Sequence, residues 1–378
     1  MRAQTFTIDP SALADLGGIH PLDSAATLVL VFGPSNLLDD TEAAARLKAY
    51  FPQSQVHGCS TSGAIHELDI IDDRLIVAVA RFEHTRLISS GSPISDAMDS
   101  ERVGKLLAEG LPKDELRAVL VLSDGLQVNG TGLIEGLNAN LPDGVVVTGG
   151  LAGDADRFER TWVFVDGEMR SGYVTAVGFY GDVVRIGHGS KGGWDIFGVE
   201  RTVTRSSGNV LYELDGRPAL ELYKEYLGDR ADGLPATALL FPLALRAGND
   251  GDQIVRTVLA VNEDDQSMTF AGDLPQGSRV QLMRANFDRL IDGASGAALM
   301  TKASKSAESD LLVVAISCVG RRLVLGERSE EEVESVLDEM PEGTHQVGFY
   351  SYGEISPYGS GQCQLHNQTM TLTTITEA

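Results

Sequence analysis

Runs of consecutive apolar residues alternate with stretches whose apolar positions recur every three to four residues across the first 150 positions. Thr27-Leu28-Val29-Leu30-Val31-Phe32-Gly33 reads as a buried strand. Asp39-Asp40-Thr41 then opens an amphipathic helix that ends near Tyr50 and Phe51, with Pro52 beyond it. The apolar run at residues 75–82 predicts a second strand, and residues 98–110 a helix stopped by Gly110 and Pro112. Residues 118–123 give another buried strand, followed by a helix from about Gly130 to Asn140 and a strand at residues 145–148. Strands alternating with helices argue for an α/β layer.

After Gly150 the pattern changes. Residues 161–165 and 173–179 are strand-like and flank Asp166-Gly167, a strong hairpin signal. With a further strand at 183–187, this stretch predicts an antiparallel meander that extends the first sheet. A second unit starts near residue 215, where residues 218–227 form a helix with Leu220, Tyr223 and Leu227 on one face. Strands are expected at residues 255–261, 278–283 and 310–318, and a long helix at 285–302. Ser329-Glu330-Glu331-Glu332 has the form of a capping box opening a helix that ends before Pro341. Residues 346–352 and 365–374 supply closing strands. The fold class is α/β (mixed α+β): two packed domains, 27–214 and 215–370, each with a mixed sheet covered by helices. No short internal repeat is visible.

Composition narrows the function classes. The 378 residues carry 54 acidic against 30 basic side chains, a net charge of -24. Duplex binding needs clustered positive charge, so a nucleic-acid role is disfavoured. No run reaches 18 apolar residues and the first ten positions lack a signal-peptide core, so no membrane insertion and a cytoplasmic location are expected. Cys59, Cys318 and Cys363 lie far apart, which is no disulfide framework and no zinc knuckle.

Candidate chemistry collects in a few places. Gly58-Cys59-Ser60-Thr61-Ser62-Gly63 is a Gly/Ser-rich turn after a strand, suited to cradling an anion, but lacks the second glycine of a serine nucleophile elbow. Gly149-Gly150-Leu151-Ala152-Gly153-Asp154 lacks the glycine order of a dinucleotide loop. Asp124 and Asp154 follow strand ends, where sheet-derived sites often lie. The densest cluster is the end of the chain. There, strand alternation puts Cys363, Leu365 and Asn367 on one face, with Gln364, His366 and Gln368 on the other. Four polar residues, 366–369, inside a strand-like run either form an internal network or reach into a pocket.

Taken in order, these segments resemble the FIST family of bacterial sensory proteins. The landmarks are the Gly58–Gly63 and Gly149–Asp154 turns, Leu122-Ser123-Asp124-Gly125, and Leu214-Asp215-Gly216-Arg217-Pro218-Ala219. Phe241-Pro242-Leu243, Val255-Arg256 and Ser317-Cys318-Val319-Gly320-Arg321 follow, then Phe349-Tyr350-Ser351-Tyr352-Gly353-Glu354-Ile355 and Leu365-His366-Asn367-Gln368-Thr369. The resemblance implies FIST N-terminal and C-terminal domains that bind a small ligand, without catalysis, and report it to a signalling partner. The chain ends eight residues after Met370, which points to the stand-alone members. These act in two-component signal transduction on a separate histidine kinase, or on a diguanylate cyclase or phosphodiesterase of cyclic-di-GMP. Membership of the nitric-oxide-sensing subgroup would imply haem b, with His366 as the iron ligand and Cys363, Tyr350, Tyr352 and Asn367 around it. The alternative is a sensor of amino acids or related metabolites without haem, with Arg256, Arg321 and Glu354 as clamps and Cys59 and Ser60 as loop contacts. Either reading admits a homodimer.

Overall fold

The computed structural model describes residues 1–9, 22–246, 253–303, 309–357 and 361–378. Among them, three sheets of six strands share one construction. Each has two parallel strands at its centre: Thr27–Gly33 with Gln55–Ser60, Leu116–Ser123 with Val146–Leu151, and Leu312–Cys318 with His345–Ser351. An antiparallel strand flanks the first member of each pair: Leu75–Arg81, Tyr173–Tyr180 and Met370–Glu377 respectively. Almost every residue in the central strands is buried, which explains why they read as unbroken apolar runs rather than alternating ones.

The other flank of each pair comes from a different sheet's chain. After Gln55–Ser60 the chain crosses to pair Ala64–His66 with His345–Ser351. After His345–Ser351 it pairs Gly353–Pro357 with Val146–Leu151, and after Val146–Leu151 it pairs Val163–Val165 with the Gln55–Ser60 strand. The three hand-overs close a ring, so the sheets enclose one apolar core that includes Phe32, Cys59, Leu122, Ala152, Ile316 and Phe349. One glycine marks the same place in each second parallel strand. A Cβ on Gly58, Gly149 or Gly348 would lie 2.2, 1.9 or 1.7 Å from the carbonyl oxygen of its strand partner, Val31, Val121 or Ala315.

A second body is inserted between the strand Val184–Lys191 and the helix Phe287–Met300. Its nine-stranded sheet is formed between Asp195 and Arg284. The helix Ala219–Leu227 covers that sheet and presents Leu220, Tyr223 and Leu227 to a separate core with Leu211, Phe270 and Leu282. The fold is thus mixed α/β with two packed domains. The sequence division at residues 214 and 215 falls within this second body, at the turn after the strand Val210–Leu214. The residues on either side of it also share the three sheets.

Several expected elements resolve differently. Asp166-Gly167 does turn a hairpin, but Val163–Val165 pairs with Glu168–Arg170, while Tyr173–Tyr180 joins the second sheet. The strand after it, Val184–Lys191, joins the third sheet against Met370–Glu377, so there is no meander. The 255–261 run is two strands, Gln253–Arg256 and Val258–Asn262. The final run also divides, into Cys363–His366 and Met370–Glu377, with Gln368 at φ 63° between them. Ser329 and Glu332 form no capping box. Ser329 Oγ turns back to the Gly326 carbonyl (2.8 Å), and the Glu332 carboxylate is taken by Arg321.

Candidate functional site

The two bodies meet at a cleft of about 430 Å³. The helix Gly130–Asn138 and the strand Cys363–His366 form one wall, and the strands Leu243–Arg246 and Gln253–Arg256 face them. Arg256 lines the cleft although its side chain is 4% exposed. Its Nε donates to the Asp273 carbonyl (3.0 Å), and its Nη1 to the carbonyls of Val255 (3.2 Å) and Leu365 (3.3 Å). Nη2 has no hydrogen-bond partner among the described residues. Burial pushes Arg256 down to about 10, with the Asp273 carboxylate opposing, so the group stays a cation at neutral pH. Gly272 makes this placement possible, since a Cβ there would lie 2.9 Å from Arg256 Nε.

Acidic groups balance that cation. Asp273 lines the cleft and accepts from Asn129 Nδ2 (3.1 Å). Glu135 stands at the exposed rim, its pKa raised by partial burial and then by the nearby Asp273 and Glu101. The buried Thr131 hydroxyl in the same wall has no partner among the described residues. Leu245, Ile254 and Leu365 supply the apolar remainder. A guanidinium facing carboxylates across an apolar-walled cleft can hold a small molecule bearing both a carboxylate and an ammonium. Asp273 and Glu135 went unnoticed in the sequence because each is a single acid in an ordinary turn or helix; only the fold brings them together.

Behind the cleft lies a buried polar seam. Glu354 is paired in register with His366 and is fully buried. Ser351 Oγ donates to its Oε1 (2.9 Å), and the Thr369 amide and hydroxyl donate to Oε2 (3.1 and 2.9 Å). Burial nevertheless outweighs these bonds and pushes Glu354 up to about 8. His366 Nε2 donates to the Ser356 carbonyl at 3.0 Å, and burial holds the ring neutral with a pKa of about 4. Asn367 lies beyond the strand rather than on its face, 1% exposed, with neither side-chain atom partnered among the described residues.

The seam does not fit a haem at His366. Its Nε2 already serves Ser356, Glu354 is its cross-strand neighbour, and the ring is buried. Of the residues expected around an iron, Cys363 lines the inter-body cleft, but burial pushes its thiol far up. Tyr352 belongs to the Asp154 loop: its hydroxyl donates to the Asp154 carboxylate, and Phe158 stacks on its ring at 4.4 Å.

Tyr350 and Arg321 join a different unit. Arg321 Nε donates to Glu332 Oε1 (2.6 Å), and Ser317 and Tyr350 hydroxyls donate to Oε2 (3.1 and 3.0 Å). The other guanidinium nitrogens serve the carbonyls of Gly192, Gln368 and Leu290. Arg321 is therefore consumed by the fold and is no ligand clamp. Cys59 and Ser60 sit at the centre of the ring of sheets; burial raises the Cys59 thiol well above its ordinary value, and Ser60 Oγ accepts from the Trp162 amide (3.1 Å). Asp124 and Asp154 organise loops: Asp124 accepts from the Leu126, Gln127 and Gly172 amides, Asp154 from those of Phe158, Glu159 and Arg160.

Clefts between two bodies are a common place for small molecules to bind. The family model of the FIST N domain matches residues 27–217 and that of the FIST C domain residues 219–357. The chain belongs to the FIST family, whose domains are associated with sensing small ligands in signalling proteins. It is also similar to an uncharacterized protein of Methanocaldococcus jannaschii, 22% identical over 348 residues. That match covers 82% of this chain, which spans 65% of the relative's length. Among solved structures, a cyanuric acid hydrolase of A. caulinodans aligns over 99% of this chain and 98% of its own at 6% identity and a TM-score of 0.38. A second cyanuric acid hydrolase structure aligns over 100% and 99% at 12% identity and a TM-score of 0.33. Likeness at these scores implies no shared activity. No helix among the described residues is long and apolar enough to cross a membrane.

Proposed function

We propose that the chain is a sensory module whose inter-body cleft takes a small zwitterionic metabolite of amino-acid type, without haem. The observation that carries this reading is the buried Arg256, which lines the cleft with one nitrogen unpartnered among the described residues. A carboxylate on Nη2 would gain a charge-assisted bond out of bulk water, and an ammonium would sit toward Glu135 and Asp273. Because both bodies wall the cleft, a ligand that fits one spacing better shifts their equilibrium. A separate histidine kinase or cyclic-di-GMP enzyme would read that shift. A binding role rather than catalysis at this cleft is favoured by Cys363, the thiol in its wall, which burial holds protonated.

Calorimetric titration with the proteinogenic L-amino acids, beside matched amines and carboxylic acids lacking the second charge, tests this directly. At least one amino acid should bind saturably, with affinity reduced about tenfold or more in Arg256→Gln and also reduced in Glu135→Gln. Folded protein that binds no amino acid, or binds one equally well in both variants, would refute it.

A further inference from the structure

A cleft of about 580 Å³ that shares no lining residue with the inter-body site opens where the first sheet meets the second. The strand Gln55–Ser60 contributes His57, and the edge strand Arg86–Pro93 contributes Ser89. His57 Nε2 and Ser89 Oγ lie 2.8 Å apart, and the same Oγ donates to Gln55 Oε1 at 2.6 Å. Ser89 is exposed, while the imidazole is 5% exposed. A hydroxyl open to a cavity and hydrogen-bonded to a buried base is the arrangement a nucleophilic serine requires.

The surroundings supply more of the chemistry. Gly91, two residues on from Ser89, leaves the space occupied by Tyr173: a Cβ there would lie 2.8 Å from the ring. The Tyr173 phenol and the Lys48 ammonium, which also donates to the Ser54 carbonyl (3.4 Å), line the same cleft as donors for an acyl oxygen, while the Thr175 hydroxyl donates to the Leu122 carbonyl (3.5 Å). Burial lowers His57 to about 4, so the ring is neutral at ordinary pH with a lone pair to offer, but as a weaker base than a free imidazole. A half-turn of the Gln55 amide, which exchanges its oxygen and nitrogen without changing its shape, would let it donate to Oγ and direct the serine proton to Nε2.

We propose that Ser89 is a nucleophile toward small activated acyl donors, aryl esters or thioesters, with His57 as its proton acceptor. Oγ bonds to the acyl carbon as its proton passes to His57 Nε2. The carbon–oxygen or carbon–sulfur bond to the leaving group breaks, and the departing group keeps the electron pair and takes the proton back from Nε2. Water then attacks the Ser89 ester by the same route, releasing the carboxylic acid and restoring the hydroxyl.

The probe is p-nitrophenyl acetate, followed by intact mass and peptide mapping of the full chain. One acetyl group is expected on the peptide carrying Ser89, absent in Ser89→Ala and formed about tenfold or more slowly in His57→Gln. Acetylation confined to lysines, no acetylation, or Ser89 acetylation at an unchanged rate in folded His57→Gln would overturn the proposal. Should His57→Gln not fold, Ser89→Ala, at an exposed strand position, decides alone: loss of the acetyl group supports the proposal and its retention overturns it.

Discussion

Glu354 shows how one buried residue writes itself into the behaviour of the chain. Its pKa rises from 4.5 to about 8 because burial penalises the carboxylate more than its three donors stabilise it. Between those values the native state holds a proton that the unfolded chain has released, so stability falls as pH rises, by at most about 1.4 kcal/mol per pH unit. Urea midpoints across pH 5 to 8 should decline in the wild type, and Glu354→Gln should remove that part of the decline. Glu377 acts in the opposite sense at lower pH. Burial alone would raise it, but the Glu83 and His84 amides and the Thr85 hydroxyl bring it to about 2, so its contribution is lost as pH falls from 4.5 through that value. The Arg321–Glu332 pair makes a second test. Both side chains are fully buried, so Glu332→Gln leaves an uncompensated guanidinium and should cost about 3 kcal/mol in urea unfolding, with much of the loss restored by adding Arg321→Met. Arg256, Arg321 and Glu354 were singled out through the family resemblance, as clamps. Glu332 was not, because a Ser-x-x-Glu spacing ahead of an apolar stretch has the form of a helix cap whether or not the glutamate turns inward.

At the scale of the element, the central strands were readable and their partners were not. Thr27–Gly33 and Leu312–Cys318 are buried on both faces, and such runs announce themselves by composition. Val163–Val165 and Ala64–His66 are three residues each and pair with strands laid down far away in sequence, information that no local pattern contains. The Gly58–Gly63 turn read as one suited to cradling an anion and the Gly149–Asp154 turn as tight packing; both are points where one sheet hands its chain to the next. Their glycines are there for backbone clearance, and the consequence is measurable. Gly149→Ala would place a Cβ 1.9 Å from the Val121 carbonyl at φ +144°, and Gly348→Ala one 1.7 Å from the Ala315 carbonyl. Each should destabilise by about 3 kcal/mol or more, since backbone rather than a flexible side chain must move. Gly216→Ala, at φ +77° with nothing within 4 Å, should cost only about 1–2 kcal/mol of conformational strain.

Across the whole molecule, the ring of sheets and the inserted body have different parts to play. The ring has no free choice of geometry, because every hand-over strand ties one sheet to another. The inserted body has its own core, shares an apolar cluster with the ring in which Ala244, Val255 and Met283 meet Leu290, Val324 and Leu325, and is also joined to it by polar bonds. Arg256 to the Leu365 carbonyl, Asn129 to Asp273 and Gln368 to the Leu239 carbonyl (3.4 Å) are three of them, and two lie at the cleft. A ligand that competes for the bonds at the cleft can bias the placement of the two bodies. Arg256→Met keeps the length and apolar contacts of the side chain while removing the bond to Leu365. Amide hydrogen exchange should then quicken in the strands Cys363–His366 and Gln253–Arg256, with Thr27–Gly33 at the heart of the ring unchanged. An amino acid that binds the wild type should slow exchange in those same two strands and leave the variant unaffected. If the variant instead loses protection uniformly, including in Thr27–Gly33, then Arg256 supports the stability of the whole fold and the two bodies do not move as separate units.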